Sequence, residues 1–432
     1  MKIGIRREDK NEWEARVPLT PSDTKKLIDQ GIQIILQPSP IRIFSDQKYI
    51  DAGATISEDL SDCNLILAVK EIPQGFIETG KAYLFFSHTI KGQDYNMPLL
   101  QTMIDKKTQL LDYERIVDAK DRRLIFFGRH AGLAGMIDTL WALGQRLVQE
   151  GIPSPFSKIK KTYQYSGLEN AKKALKGIAM ELSKTGLPKE IQPLTIGFSG
   201  YGNVSQGAQE IFDIFPHKEL SPKELLSESS FTEKDHLLYK VIFKEGDLAE
   251  PVDSGNQFIL QDYYDNPEKY QSKFERYLPK LSALVNCIFW DIKYPRLITL
   301  DYLKETWQTT DTPKLRIIGD ISCDIEGAVQ CTTKVTDPGS PVYTYDPLNG
   351  KIQDGLAGRG PVIMAVDNLP CELAAEASQA FSTVLVDFLP ELSKADFEEP
   401  FTKLKLPPEL LSALILHNGE LTEDYKYLQQ YL

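Results

Sequence analysis

A chain of 432 residues is too long for one simple core, so two domains are the default. Its 42% hydrophobic and 25% charged residues are ordinary for a globular protein, and a formal net charge of −12 argues against a phosphate-coating nucleic-acid binder. The cysteines Cys63, Cys287, Cys323, Cys331 and Cys371 show no paired ligand spacing, so no metal is expected and reduced thiols are the simpler reading.

The amino terminus, "MKIGIRREDK", enters a short strand and then charge, with no apolar core of signal-peptide length. No window reaches transmembrane length, and a soluble, cytoplasmic protein without a membrane partner is expected. "KIGIR" reads as a strand, and "TPSDTKKLIDQG" as a helix capped by Thr20 or Ser22 and stopped by Gly31. Strand signals follow at "IQIILQP", "LILAVK", "AYLFFSH", "KTQLLDYE" and "RRLIFFG". Strands alternating with helices imply a mostly parallel sheet covered on both faces. "GLAGMIDTLWALGQRLVQEG" is a long helix whose stripe, Leu133, Met136, Ile137, Leu140, Leu143, Leu147 and Val148, has core spacing. A polar passage, Pro153 to Pro193, carries another helix. Strands return at "LTIGFS", "LLYKVIF", "ALVNCIFW" and "LRIIGDI", with a polar insertion of loops near 217–275. "DNLPCELAAEASQAFSTVLVDFLPEL" reads as a helix with Asp367 or Asn368 at its cap, Pro370 in its first turn and Pro390 as its stop.

Two constellations carry chemistry. "GFSGYGNVSQGAQ" places Gly200, Tyr201, Gly202, Asn203, Val204 and Ser205 between an apolar strand and an amphipathic helix. A dinucleotide fold needs a tight turn at the first glycine, close backbone approach at the second and a helix amino terminus for the pyrophosphate. Ser205 stands where a third glycine is commonest. An acidic residue ~20 positions on would hold the adenosine ribose. Glu219 has that spacing, but His217 and Lys218 beside it suit a 2′-phosphate equally, and NAD against NADP stays open. Earlier in the chain, Lys70 closes "LILAVK" and His88 closes "AYLFFSH". In a parallel sheet both reach the carboxyl-end rim, where ligands bind, and together they make an acid/base pair. Arg16, Arg122 and Arg123 are candidates for holding substrate carboxylates bidentately, with surface ion pairs as the plainer reading.

With these residues in view, "RREDKNEWEARVPLTP", "AVKEIP", "FFSHTIKGQ", "LLDYERIVDAKDRRLIFFGRHAGLAG", "GYGNVSQGAQEIF", "GDISCDIEGAVQ" and "VDNLPCELAAEAS" resemble, in order, the lysine–2-oxoglutarate reductase family. These are the lysine-forming saccharopine dehydrogenases, including the reductase half of aminoadipic semialdehyde synthase, within the wider alanine dehydrogenase-like superfamily. The resemblance implies an α/β fold of two Rossmann-like domains with parallel sheets and a cleft between them. Residues 1–135 plus 370–432 would form the substrate domain, and 136–369 the NAD(P)-binding domain with its insertion near 217–275. It implies acid/base roles for Lys70 and His88, carboxylate binding by Arg16, and a substrate cleft lined by Glu114 and Arg122. Gly200 to Ser205 would hold the pyrophosphate, with Asp320 near the nicotinamide. The implied reaction condenses L-lysine with 2-oxoglutarate and reduces the imine to saccharopine, or runs in reverse. By resemblance NADP(H) is favoured, with NAD(H) open. The chain ends before the fused glutamate-forming dehydrogenase of the bifunctional members, so a separate partner of that kind, and a homo-oligomer, are left open. An alanine dehydrogenase-like enzyme using ammonia is the nearest rival. A non-catalytic nucleotide-binding regulator is the rival of another class.

Overall fold

The computed structural model describes residues 2–232 and 235–432. The chain divides into two compact units, Met1–Phe127 with Ala374–Leu432, and Gly128–Leu373. No helix among the described residues is long and apolar enough to cross a membrane.

The first unit is built on β1 (Lys2–Ile5), β2 (Gln33–Leu36), β3 (Thr55–Ile56), β4 (Leu65–Leu67), β5 (Ala82–Phe85) and β6 (Gln109–Asp112). They lie in the order β6-β5-β4-β1-β2-β3, all parallel. The central strands β4 and β5 are buried at every residue, which is why they read as unbroken apolar runs. Thr20 caps the helix Pro21–Asp29 by accepting from the Asp23 amide, and Gly31 follows at φ +86°. The chain runs outward from β1 to β3 and then returns to lay β4 on the other side of β1. That makes β1/β4 a topological switch point, whose carboxyl ends open a crevice.

Three expected elements differ. "LILAVK" leaves its strand at Leu67, because the Val69 and Lys70 amides turn to the Glu8 carboxylate. "RRLIFFG" is not a strand: Arg123 makes only an isolated bridge to Val117, and Phe127 stacks on Phe381 at 4.9 Å. The place beside β6 is taken instead by Leu414–His417, antiparallel, with Glu420–Leu421 outside it. Pro390 does not stop a helix. A 3₁₀ turn, Leu369–Leu373, leads into the helix Ala374–Leu385, and Pro390 opens a second helix, Leu389–Lys394, where a missing N–H costs nothing.

The second unit contains β7 (Thr195–Ser199), β8 (His217–Leu220), β9 (Leu238–Phe243), β10 (Ala249–Pro251), β11 (Tyr270–Ser272), β12 (Ala283–Asn286), β13 (Ile317–Asp320), β14 (Val342–Tyr345), β15 (Ile352–Asp354) and β16 (Val362–Met364). Its main sheet runs β15-β14-β16-β13-β12-β7-β9-β8, while β10 and β11 form a separate antiparallel pair. Period-two alternation divides the core. Ile196, Phe198, Val285 and Ile317 pack with the helix Gly128–Gln149, and Leu284, Ile318 and Ile363 pack with Leu278, Leu303 and Trp307 on the other face. The segment 217–275 is therefore not only loops: it supplies β8, the β10/β11 pair and most of the way to β12, and it inserts β9 between β8 and β7. The helix Asn203–Phe212 lies backbone to backbone on Gly128–Gln149. A Cβ on Gly132 would stand 1.9 Å from the Val204 carbonyl, and one on Gly207 2.1 Å from that of Arg129.

Candidate active site and nucleotide turn

Lys70 sits just beyond β4 at the switch point, and His88 just beyond the adjacent parallel strand β5. Four acidic and basic side chains from the first sixteen residues crowd the same rim. Glu8 accepts from the Val69 amide at 2.6 Å and the Lys70 amide at 3.0 Å, so it fixes the backbone that aims Lys70. Burial, then the nearby Glu14 charge, push the Glu8 carboxyl up to about 7 against those two bonds. Arg16 grips Glu14 bidentately, Nε to Oε1 at 2.7 Å and Nη2 to Oε2 at 2.5 Å, both side chains being buried. The Arg16 guanidinium also lies 4.3 Å from the centroid of the Phe127 ring. Among the described residues the Lys70 ammonium has no hydrogen-bonding or ion-pair partner. Burial lowers its pKa first, and the Arg16 and Lys10 charges add to that effect.

His88 holds a left-handed backbone, φ +52°, uncommon for a residue with a side chain. Its carbonyl accepts from Asn96, and its ring packs over Phe86. Its Nδ1 meets the Glu71 carboxylate at 2.6 Å, and Lys10 reaches the same carboxylate at 3.1 Å. Burial raises Glu71, but the His88 bond and charge outweigh it, and the carboxyl stands at about 2. A carboxylate there requires Nδ1 to donate, which leaves Nε2 for exchange. Glu71 directly follows Lys70, so one short segment connects both titratable groups.

Glu114 is largely buried and pairs with Arg123 at 3.2 Å. Arg122 is not brought to that pair: its side chain is 72% exposed, and its guanidinium closes a local turn on Asp118.

In the second unit, Gly200 takes φ +84° directly after β7, and its amide donates to the Phe243 carbonyl of β9 at 2.9 Å. Gly202 precedes the helix Asn203–Phe212, and a Cβ there would meet nothing within 4 Å, so the space above the turn is open. Ser205 is fully buried, accepts from Gln209 and lies against the Cys287 thiol. Tyr201 projects outward, and Asn203 and Val204 form the first helical turn. A cavity of about 370 Å³ opens on Gly200, Tyr201 and Gly202 and is walled by Leu248, Ile288 and Phe289. An apolar recess beside a glycine turn and a helix amino terminus fits an adenine dinucleotide.

Asp320 ends β13, buried, and belongs to a rim network rather than to open space. It accepts from Asn286 at 2.8 Å and Thr332 at 2.6 Å, and Asn286 accepts from Ser199 at 2.7 Å. Burial raises its carboxyl to about 6 despite these bonds. Glu219, the residue with ribose spacing, lies inside edge strand β8, 57% exposed and 3.6 Å from Lys240.

Sequence reasoning missed Glu8, Glu14, Glu71 and Lys10. Glu14 and Arg16, two apart in "EAR", and Glu71 beside Lys70 are the signals that could have found two of them. Glu8 has no such signal, since its partners are amides 61 and 62 positions away.

A profile of the alanine dehydrogenase/PNT N-terminal domain matches residues 4–134. The chain is 39% identical over 99% of its length to an alpha-aminoadipic semialdehyde synthase of Arabidopsis thaliana, and 34% identical over 99% to the mitochondrial one of Mus musculus. It spans 41% and 47% of those proteins, less than half of each. A saccharopine dehydrogenase [NAD(+), L-lysine-forming] of Yarrowia lipolytica is 27% identical over 97% of this chain and 99% of that one. Among solved structures an L-alanine dehydrogenase matches with a TM-score of 0.63 at 15% identity, covering 100% of this chain and 99% of its own. That likeness establishes two α/β Rossmann-like domains of alanine dehydrogenase type. The cytoplasmic expectation is overturned, because the mouse, rat and cattle relatives are mitochondrial by name. The chain is a member of the alanine dehydrogenase/PNT-like superfamily, related to the aminoadipic semialdehyde synthase and saccharopine dehydrogenase family.

Proposed function

We propose that this chain is an NAD(P)-dependent oxidoreductase that joins the ε-amine of L-lysine to the keto carbon of 2-oxoglutarate and reduces the resulting imine to saccharopine, or catalyses the reverse. The observation that carries the reading is the rim of the first unit. Lys70 and His88 leave adjacent parallel strands at their carboxyl ends, and Glu71 holds the His88 ring at 2.6 Å.

The chemistry needs an amine freed of its proton near neutrality and a donor for the departing hydroxyl. A lysine with a lowered pKa serves as the base that takes the substrate ammonium's proton. The amine then adds to the keto carbon. His88, fixed through Nδ1, gives a proton from Nε2 to the carbinolamine oxygen, which leaves as water. A reduced nicotinamide dinucleotide, when bound, supplies the hydride that converts the iminium to the secondary amine. Gly200, Gly202 and the amino terminus of Asn203–Phe212 are the parts that would hold its pyrophosphate. Arg16 acts chiefly as the fixed cation that keeps Lys70 short of protons, since two of its N–H groups are committed to Glu14. The Glu114–Arg123 pair is the second place for a substrate's charged ends.

The test follows oxidation of NADH and NADPH with L-lysine plus 2-oxoglutarate, and with pyruvate plus ammonium. Turnover with the first pair alone supports the proposal. Turnover with ammonium alone assigns an alanine dehydrogenase-like reaction, and dinucleotide binding without turnover assigns a regulator.

A further inference from the structure

The order of strands in the second unit moves a functional position. In a dinucleotide-binding sheet the adenosine ribose lies at the carboxyl end of the strand beside the glycine-turn strand, where an acidic side chain takes its hydroxyls. Here that neighbour is β9, not β8: β9 pairs with β7 along the whole length of β7, and β8 pairs only with β9. Glu219 on β8 is thus one strand too far out, and its carboxylate faces Lys240. Beyond Phe243, the last residue of β9, come Lys244 and Glu245. Glu245 lines the cavity that opens on Gly200, Tyr201 and Gly202. Its Oε1 accepts from the Tyr264 hydroxyl at 2.8 Å and the Tyr201 hydroxyl at 3.4 Å, so the carboxylate is positioned by two phenols. Lys244 is exposed, 5.6 Å from the Tyr201 ring centroid, and does not line the cavity.

We propose that Glu245 is the residue that receives the adenosine ribose of the dinucleotide, and that it selects NAD(H) over NADP(H). The inference rests on the dinucleotide reading given above and adds the coenzyme class to it. A carboxylate held in place accepts from both hydroxyls of an unmodified ribose. The same carboxylate repels a 2′-phosphate, and juxtaposed like charges are an effective way to exclude a wrong partner. This reverses the coenzyme that family resemblance favours.

Binding is measured without substrates, from the fluorescence of NADH and NADPH titrated with the full chain. The wild type is expected to bind NADH roughly tenfold or more tighter than NADPH. Glu245→Gln keeps an oxygen for Tyr264 while removing the charge, and should shrink that ratio by most of its value. Glu219→Gln should leave it unchanged. Competition by ADP against 2′,5′-ADP on the wild type gives a reading that needs no variant, with ADP expected to compete better. Preference of the wild type for NADPH, or a ratio that answers to Glu219 rather than Glu245, overturns the inference while the dinucleotide reading stands. Failure of both dinucleotides to bind overturns both.

Discussion

Around its switch point the first unit crowds the carboxyl rim with charge. Lys70, Arg16, Lys10 and His88 face Glu8, Glu14 and Glu71, and the acid/base character comes from side chains acting on one another. The second unit presents backbone and apolar surface at the same place: two glycines, a helix amino terminus and a recess of Leu248, Ile288 and Phe289. The two sheets share their central order on one side and differ on the other, where β2 lies beside β1 but β9, not β8, lies beside β7. On the proposed reading, one architecture serves two tasks. Proton traffic needs charges close enough to shift each other's pKa, and anion binding needs open N–H groups with nothing in the way.

The largest test of that division is Lys70→Met and His88→Gln. Each should lower turnover with L-lysine and 2-oxoglutarate by roughly 10²- to 10⁴-fold, the usual reach of general acid–base catalysis, while NADH and NADPH binding is unchanged. Near-normal turnover in either variant would remove the first unit's rim from the chemistry.

Next comes stability against pH. Glu8 titrates at about 7 when folded, against an ordinary 4.5, so the folded state binds its proton more tightly. The associated stability is complete below 4.5 and is lost as pH rises through 7; the full span corresponds to about 3 kcal/mol. Denaturant melts between pH 4.5 and 8 should show that decline, and Glu8→Gln should flatten it while losing one backbone bond at every pH. A slope unchanged by the substitution would mean the proton sits elsewhere.

The glycine turn offers a sharper contrast. Gly202→Ala should cost roughly tenfold or more in dinucleotide affinity with an unchanged melting temperature, because its Cβ meets only the space where pyrophosphate would lie. Gly200→Ala should weaken binding and lower the melting temperature as well, since φ is +84° and its Cβ would stand 2.9 Å from Ile288. If Gly202→Ala binds normally, the turn is not a phosphate cradle.

The smallest effect is electrostatic. Lys10→Ala removes one of the cations that depress Lys70. The Lys70 pKa then rises, and the acid limb of the kcat/KM profile should move to higher pH by a fraction of a unit, more at low salt than at high. An immobile limb would show that Lys70 does not set it.

What could be read without coordinates was whatever the chain encodes locally. Runs of apolar residues marked β4, β5 and β7, Thr20 marked a helix start, and the glycine spacing marked the turn from β7 into a helix, because caps, turns and strands depend on residues a few positions apart. Lys70 and His88 could be singled out for the same reason, each following an apolar run by a few residues. Long-range pairing decided the rest. Leu414–His417 took the edge beside β6 that "RRLIFFG" was expected to occupy, Glu8 reached Val69 across the switch point, and β9 displaced β8 from its neighbour. Local spacing could point to Glu219, yet only the sheet could show that Glu245 stands beside the glycine turn. Strand order is set by which faces bury best against each other, and no short window of sequence contains that comparison.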